Sequence, residues 1–305
     1  MNFLLATDHF GPHEVVNCFS IDVESFSESN LESFPIDSRH LDRARQNHEI
    51  ERNVDFILSL LAGHHVKATF FFLGRIARDL PQVVGRVAQE KHEIACHSLE
   101  HFRLYGLKPE VFAQQLSAAK GLLEDASGQQ VYGFRAPDFS ITGQSVWALD
   151  ELQKAGFFYD SSIYPFAGHD VYGIAEAPSH VHKLANGLIE WPLATIEILN
   201  RRLPFGGGGY FRLYPATFTE FCFSRLNGQR KPCMFYIHPY EIGPAIERIA
   251  GLSKLRQFRH YFRCGTLNRR LDRLLGKFRF VPAITALRQM GYVTEVTSSR
   301  ETAYV

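Results

Sequence analysis

Along most of the chain, short apolar runs alternate with stretches of helical periodicity. Residues 15–23 form an apolar run that ends in acids. Residues 67–73 read Lys-Ala-Thr-Phe-Phe-Phe-Leu, the pattern of a strand buried on both faces. Between 41 and 62, Ile50, Val54, Ile57, Leu58 and Leu61 recur at helical spacing and predict a long helix. Pro81 opens a helix over 81–90, and residues 93–97 form a third strand. A helix over 109–125 is ended by Gly128, a strand covers 131–135, and a helix over 146–155 stops at Gly156. This alternation predicts parallel strands joined by crossover helices. The chain is too long for one small doubly wound sheet, and no Gly-rich phosphate loop follows its first strand. An α/β fold closed into a barrel of parallel strands fits better, and such barrels carry catalytic residues at the C-terminal ends of their strands.

The later part is less regular. Residues 188–199 read as one or two strands around Trp191-Pro192, and 233–238 as a strand ending in a polar residue. Residues 204–215 hold four glycines, Gly206 to Gly209, read either as a flexible turn or as a place where a sugar approaches the backbone closely. Helices are expected over 267–275 and 281–290, and a last strand over 292–296. No repeat or long linker divides the chain, so residues 1–305 are expected to form one domain. Its core would span about 15–240, followed by a mainly helical extension over 241–290 and a terminal strand and tail over 291–305.

Composition changes this picture little. Of 305 residues, 45% are hydrophobic and 21% charged, with a formal net charge of +1, so no global field selects a partner. The extension departs from that balance: between Arg248 and Met290 stand eleven Lys or Arg and one acid, Asp272. Three uses of this charge are open. It binds an anionic substrate such as a lipid-linked oligosaccharide, or it rests on an anionic membrane through Leu267, Leu271, Leu274 and Leu275 with Arg269, Arg270 and Arg273 on the other face. The third is a solvated face whose leucines pack on the barrel. No recognition motif accompanies the charge, which argues against nucleic acid. Five cysteines without a Cys-x-x-Cys pair argue against a disulfide framework and for reduced thiols. The start carries no basic region and no segment reaches a membrane span, so the expected location is cytoplasmic, with peripheral contact at the inner face of the membrane as the further option. Oligomeric state is not readable.

Five motifs fall at predicted strand ends. Asp22 and Glu24, two positions apart after an apolar strand, point to one side and can divide metal ligation from general-base work. His97 and His101, at i and i+4, face the same way if the chain turns helical, which suits one Zn²⁺ with open positions for water and substrate. Arg135, locked by Pro137 two residues later, can hold a carboxylate in a fixed bidentate pose. Asp160 lies in Tyr-Asp-Ser-Ser-Ile. His238, in Phe-Tyr-Ile-His-Pro-Tyr-Glu, suits a general acid because imidazole titrates near neutrality.

In this order the motifs resemble the polysaccharide deacetylases, also called the NodB-homology domain or carbohydrate esterase family four. His97-Ser98-x-x-His101 is the most specific element, and the resemblance covers roughly 15–240. Asp22-Val23-Glu24, Arg135-Ala136-Pro137-Asp138-Phe139-Ser140-Ile141, Tyr159-Asp160-Ser161-Ser162-Ile163, Gly207-Gly208-Gly209-Tyr210-Phe211-Arg212 and Phe235-Tyr236-Ile237-His238-Pro239 are similar to the exosortase-associated (XrtA-type) branch, which acts in exopolysaccharide biosynthesis. The resemblance implies a distorted (β/α) barrel of the NodB-homology type with a basic C-terminal extension. It implies a divalent metal, Zn²⁺ by default, on His97 and His101, and an N-acetylated glycan as substrate. Asp22 would be the catalytic base oriented by Arg135, and Asp160 would tune His238, the general acid. Pro137, Asp138, Gly208, Tyr210 and Arg212 would meet the substrate. The chain departs from the family pattern of two adjacent aspartates, since Val23 stands at the second position. Either Glu24 is the third ligand, the preferred assignment, or Asp22 itself binds the metal. Asp138 also replaces the usual Tyr, leaving a backbone N–H as the oxyanion donor. The rivals are a deformylase or other amide hydrolase of the same fold, and a catalytically inactive glycan-binding member.

Overall fold

In a computed structural model, the structure describes residues 3–4, 15–30, 32, 42–169, 171–246, 248–249 and 253–293. In chain order the strands are β1 (Phe3–Leu4), β2 (Asn17–Val23), β3 (Thr69–Phe72), β4 (Glu93–Cys96), β5 (Gly133–Phe134), β6 (Tyr159–Asp160), β7 (His182–Leu184), β8 (Ile189–Glu190), β9 (Thr195–Ile198), β10 (Arg201–Pro204), β11 (Met234–Ile237) and β12 (Phe280–Val281). The helices are α1 (Phe26–Ser29), α2 (Arg43–Gly63), α3 (Gly74–Asp79), α4 (Pro81–Gln89), α5 (Pro109–Ser127), α6 (Ala148–Lys154), α7 (Gly208–Leu213), α8 (Ala216–Gly228), α9 (Pro239–Ile242), α10 (Lys254–Tyr261), α11 (Asn268–Lys277) and α12 (Ala283–Gln289).

The main sheet runs β1-β7-β8-β6-β5-β4-β3-β2-β11, with β12 paired to the start of β2. From β8 through β11 neighbouring strands are parallel, and only the β1–β7–β8 edge is antiparallel. Past β8 the chain swings round to β11: Ala194 N–H donates to Met234 O at 3.1 Å, and Tyr236 N–H to Gly206 O at 2.9 Å. These bonds curl the sheet into the expected distorted barrel.

Strand alternation gives each strand two buried faces. Phe19, Ile21, Val23, Phe70, Phe72, Ile94, Cys96, Phe134, Phe235 and Ile237 face outward and join the helical layer in one core. Cys18, Phe71, Ala95, Tyr159, Met234 and Tyr236 face inward and fill the barrel. The run Thr69–Phe72 is apolar because neither face meets water. Around the outside, α5 packs on α3, α4 and α6, and it ends where Gly128 takes the left-handed conformation at φ 65° and donates to Glu124 O.

Three expectations change. The glycine stretch is not a loop, because α7 begins at Gly208. β12, too short to show a period, was not foreseen, yet it places the C-terminal extension inside the sheet. Tyr292 and Val293 are not in a strand, and the rest of the strand expected over 292–296 lies outside the described residues. All five cysteines are free.

Candidate functional site

Because β2, β4, β5 and β11 run parallel, the residues that follow them gather on one rim: Glu24, His97, Arg135 and His238. A capping box fixes the turn after Glu24: Ser25 Oγ accepts from Glu28 N–H, and Glu28 accepts from Ser25 N–H. Glu28 is itself held by the buried Arg75. The stretch from His97 to His101 is a bend and not the conditional helical turn; Ser98 turns it with a φ of 73°. The two imidazoles converge all the same, with ring centroids 5.6 Å apart.

Among the described residues, Glu24, His97 and His101 form one buried group whose ligand atoms lie within 4.8 Å of one another. Glu24 Oε2 stands 2.7 Å from His101 Nε2 and 3.5 Å from His97 Nε2. No hydrogen bond of acceptable geometry reaches this buried oxygen. An orphaned carboxylate oxygen facing two imidazole nitrogens is the donor set of a His₂Glu metal site. His97 Nδ1 lies 2.8 Å from Arg135 O, which accepts its proton and leaves Nε2 free to coordinate. Burial opposes the charge on Glu24, but His101 and its neighbours outweigh burial and hold the carboxyl well below its usual range. Likewise burial opposes protonation of His101, yet Glu24 raises it to about 9. In this group the His101 proton stands against the Glu24 carboxylate, the place a bound cation would take.

Asp22 stands apart from this group. Its Oδ1 accepts from Arg135 Nη1 at 2.6 Å. The fully buried Arg135 also donates to Ser20 Oγ, Ser161 Oγ and Ser161 O, and its guanidinium lies over the Phe71 ring at 4.1 Å. Every nitrogen of Arg135 is engaged, so Asp22 has one fixed position. Opposite, His238 Nε2 is 3.1 Å from Glu24 Oε1, and its ring stacks on Tyr240 at 4.9 Å.

The expected link from Asp160 to His238 is not made among the described contacts. Tyr159 faces the barrel interior, so alternation sends Asp160 outward. There it accepts from Ser162 Oγ at 2.6 Å, and that hydroxyl accepts from Ala136 N–H at 2.8 Å. Burial raises the Asp160 carboxyl, and burial with the neighbouring Asp160 raises that of Glu190. The acid at His238 is Glu241 instead: its Oε2 lies 3.2 Å from His238 Nδ1 and accepts from His238 N–H at 2.9 Å. The signal was present, because Pro239 at the first helical position and Glu241 at the third is the signature of a capped helix start, which folds the Glu side chain back on the residue before the proline.

Of the expected substrate contacts, Pro137 is buried and Asp138 pairs with Arg103 at 2.7 Å. Asp138 and Phe139 both take positive φ, 52° and 50°, a bend that non-Gly residues adopt at a cost. Tyr210 hydrogen-bonds Tyr172 and joins Tyr164, Tyr172, Phe139 and Tyr236 in an aromatic wall reaching His238. Gly208 and Arg212 do not line that wall. Both sit against Glu241.

Fold and site together define a class: a parallel barrel carrying on one rim a carboxylate–imidazole group, a clamped carboxylate and a further imidazole set between two glutamates. Residues 41–157 match the polysaccharide deacetylase family model, and residues 161–288 match a domain of unknown function, DUF3473. A peptidoglycan-N-acetylglucosamine deacetylase of Bacillus cereus is 33% identical over 96 residues, covering 31% of this chain and 35% of that protein. A chitooligosaccharide deacetylase of Sinorhizobium fredii is 33% identical over 97 residues, covering 32% and 42%. The chain thus matches well under half the length of these relatives. A Mycobacterium smegmatis protein provisionally named a polysaccharide deacetylase shares the fold with a TM-score of 0.63 at 21% identity, covering 99% of this chain and 100% of that one. The Puue allantoinase shares it with a TM-score of 0.60 at 13% identity, covering 94% and 93%. Over residues 41–157 the chain is thus similar to the polysaccharide deacetylases.

Proposed function

We propose that this chain is a metal-dependent hydrolase that removes the acetyl group from an N-acetylated amino sugar of a glycan. The observation that carries the reading is the rim itself, where Glu24, His97 and His101 converge, with the Arg135-bound Asp22 on the same strand as Glu24 and His238 against Glu24. The relatives' names support the reaction class. Tyr172 and Tyr210, the partly exposed rings of that aromatic cluster, support a sugar as the substrate, since apolar faces with hydroxyl edges suit a pyranose.

Glu24, His97 and His101 would hold the ion, and Zn²⁺ is the default for two imidazoles and a carboxylate. When bound, it supplies Lewis-acid polarisation of a water and of the amide carbonyl. Asp22, held immobile by Arg135, accepts the proton of the attacking water. His238 delivers a proton to the leaving amine from Nε2, the ring atom turned toward the site. Water adds to the carbonyl carbon, the C–N bond breaks, and acetate and a free amine result.

The exopolysaccharide setting rests on the match of residues 161–288, with the motifs shared with the exosortase-associated branch. We place the reaction at the cytoplasmic face of a membrane, on a lipid-linked or polymeric glycan. No helix among the described residues is long and apolar enough to cross a membrane. The surface that supports membrane contact is α10, where Leu255 and Phe258 are 77% and 55% exposed in a stretch rich in Lys and Arg.

Acetate release from an N-acetylchitooligosaccharide tests the reading. Asp22→Asn should retain Zn²⁺ and lose activity by about 100-fold or more. Glu24→Ala should lose both Zn²⁺ and activity. Full activity in His97→Ala and in His238→Ala would sink the proposal, and formate release from an N-formyl substrate with no acetate release would move it to the deformylase alternative.

A further inference from the structure

Glu241 is a buried acid in contact with the site that the reaction as proposed leaves without a task. Its carboxylate is held from three directions. Oε1 accepts from Arg212 Nε at 2.9 Å, and Oε2 accepts the backbone N–H of His238 and faces its Nδ1. The third side is closed by Gly208, where a Cβ would collide with the carboxylate. Only glycine lets α7 start there, which gives one of the four glycines a definite task.

Arg212 is buried in turn and held by the C-terminal extension. Its Nη1 donates to His260 O at 2.8 Å and to Phe262 O at 3.2 Å, with Cys264 Sγ at 3.3 Å. Gly265 N–H closes the loop onto Glu241 O at 2.7 Å. The extension therefore does more than cover the barrel. It seats an arginine that seats a glutamate that seats the imidazole. Because Glu241 takes Nδ1, the ring has one orientation, with Nε2 directed at the rim. Tyr240 stacks on one face of His238 and Tyr236 meets it edge-on at 5.4 Å, which fixes the remaining rotation.

We propose that Glu241 is the positioning residue for His238, clamped between Arg212 and Gly208 and braced by residues 260–265 of the C-terminal extension. This rests on the reading of His238 as the proton donor to the leaving amine. A purely structural alternative exists, in which Glu241 caps α9 and no more. The two separate by what happens to the ring and to turnover.

Glu241→Gln keeps the volume but offers one acceptor oxygen where two are needed. The expected result is a kcat lower by about 100-fold or more, with KM within about twofold and Zn²⁺ affinity unchanged. The low-field proton signal of His238 Nδ1–H should be present in the wild type and be lost or move upfield in the variant. Arg212→Met should show the same split in weaker form, and Arg212→Met in the Glu241→Gln background should cost nothing further, because the two act in series. If Glu241→Gln unfolds, Arg212→Met and Arg212→Lys carry the test, with lysine recovering part of the kcat. Unchanged kcat and an unchanged ring proton in a folded Glu241→Gln protein overturn the proposal. A wild type that hydrolyses no N-acetylated glycan but loses its ring-proton signal in Glu241→Gln retains the positioning role and overturns only the deacetylase reading.

Discussion

Asp160 and Glu241 show that a residue's reach is set by which face its strand or helix start presents. Asp160 reads as the natural partner of His238 by motif order, but one position of alternation turns it toward Ser162 and Glu190. Glu241 carries no strand pattern and reaches His238 by a three-residue capping geometry. Glu24, His97 and His101 were legible because they follow long apolar runs, whose ends a sequence marks well. Their meeting at Ser98's left-handed bend was not, since no sequence rule puts serine there. His92 permits a separate prediction at this scale. It is buried, and its Nδ1 accepts from Ala68 N–H at 3.1 Å, which requires the neutral ring. Burial, with Lys67, lowers it from 6.5 to about 4. The unfolded chain therefore binds the extra proton first as pH falls below about 6.5, and stability is lost between there and about 4, by at most about 3 kcal/mol. Above pH 6.5 the ring contributes no pH dependence. His92→Gln keeps an acceptor for Ala68 but cannot titrate. Urea unfolding from pH 7 to 4 should show the wild type losing stability relative to His92→Gln only in that window. A pH-independent gap between the two would refute the assignment.

The elements fared unevenly, and their length explains why. α2, α4 and α5 were legible from periodicity, as were β2, β3 and β4, because each is long enough to show a period or a continuous apolar run. β6 and β12 are two residues each, too short for any pattern, and owe their existence to neighbours in the sheet, while β5 and β8 were read as parts of longer strands than they form. α11 was legible as a helix with leucines on one face, but not what those leucines cover. Leu267, Leu271, Leu274 and Leu275 are buried against the barrel core, so this face is unavailable to a membrane. Arg273 and Lys277 pair with Glu220, and Arg270 donates to the carbonyls of Phe211 and Tyr214. The apolar groups open to solvent lie one helix earlier, at Leu255 and Phe258. This makes the two helices separable by experiment. Leu274→Ala should cost about 2–5 kcal/mol in urea unfolding and leave vesicle binding as it was. Leu255→Glu with Phe258→Glu should leave stability within about 0.5 kcal/mol while abolishing co-sedimentation with anionic phosphatidylglycerol vesicles. Wild-type protein that stays in the supernatant with those vesicles would remove the membrane placement.

At the scale of the whole molecule, the two family matches meet between residues 157 and 161, and that junction holds β6, which pairs with β5 on one side and β8 on the other in one sheet. The match of unknown function therefore contributes strands to the same sheet as the deacetylase match. It supplies β8, β11 and β12, His238 with Glu241, and most of the aromatic wall. Residues 161–288 expressed alone should give no cooperative thermal transition, whereas co-expression with residues 1–160 should restore one; a sharp transition in the isolated fragment would show two domains where the sheet shows one. The sequence announced a single barrel through its alternation of elements, yet it hid how the barrel closes, because closure depends on pairings that join distant segments. Cys18 pairs with both Met234 and Val281. That register has a consequence for synthesis. Once β2 has left the ribosome, α2 and β3 soon follow to cover its outer face and one edge, but its other edge must wait unpaired until more than two hundred further residues have followed. At roughly 5–20 residues per second that is a delay on the order of ten seconds or more. For that interval the nascent chain presents one open edge of residues 17–23, the kind of edge on which a strand of another chain can add.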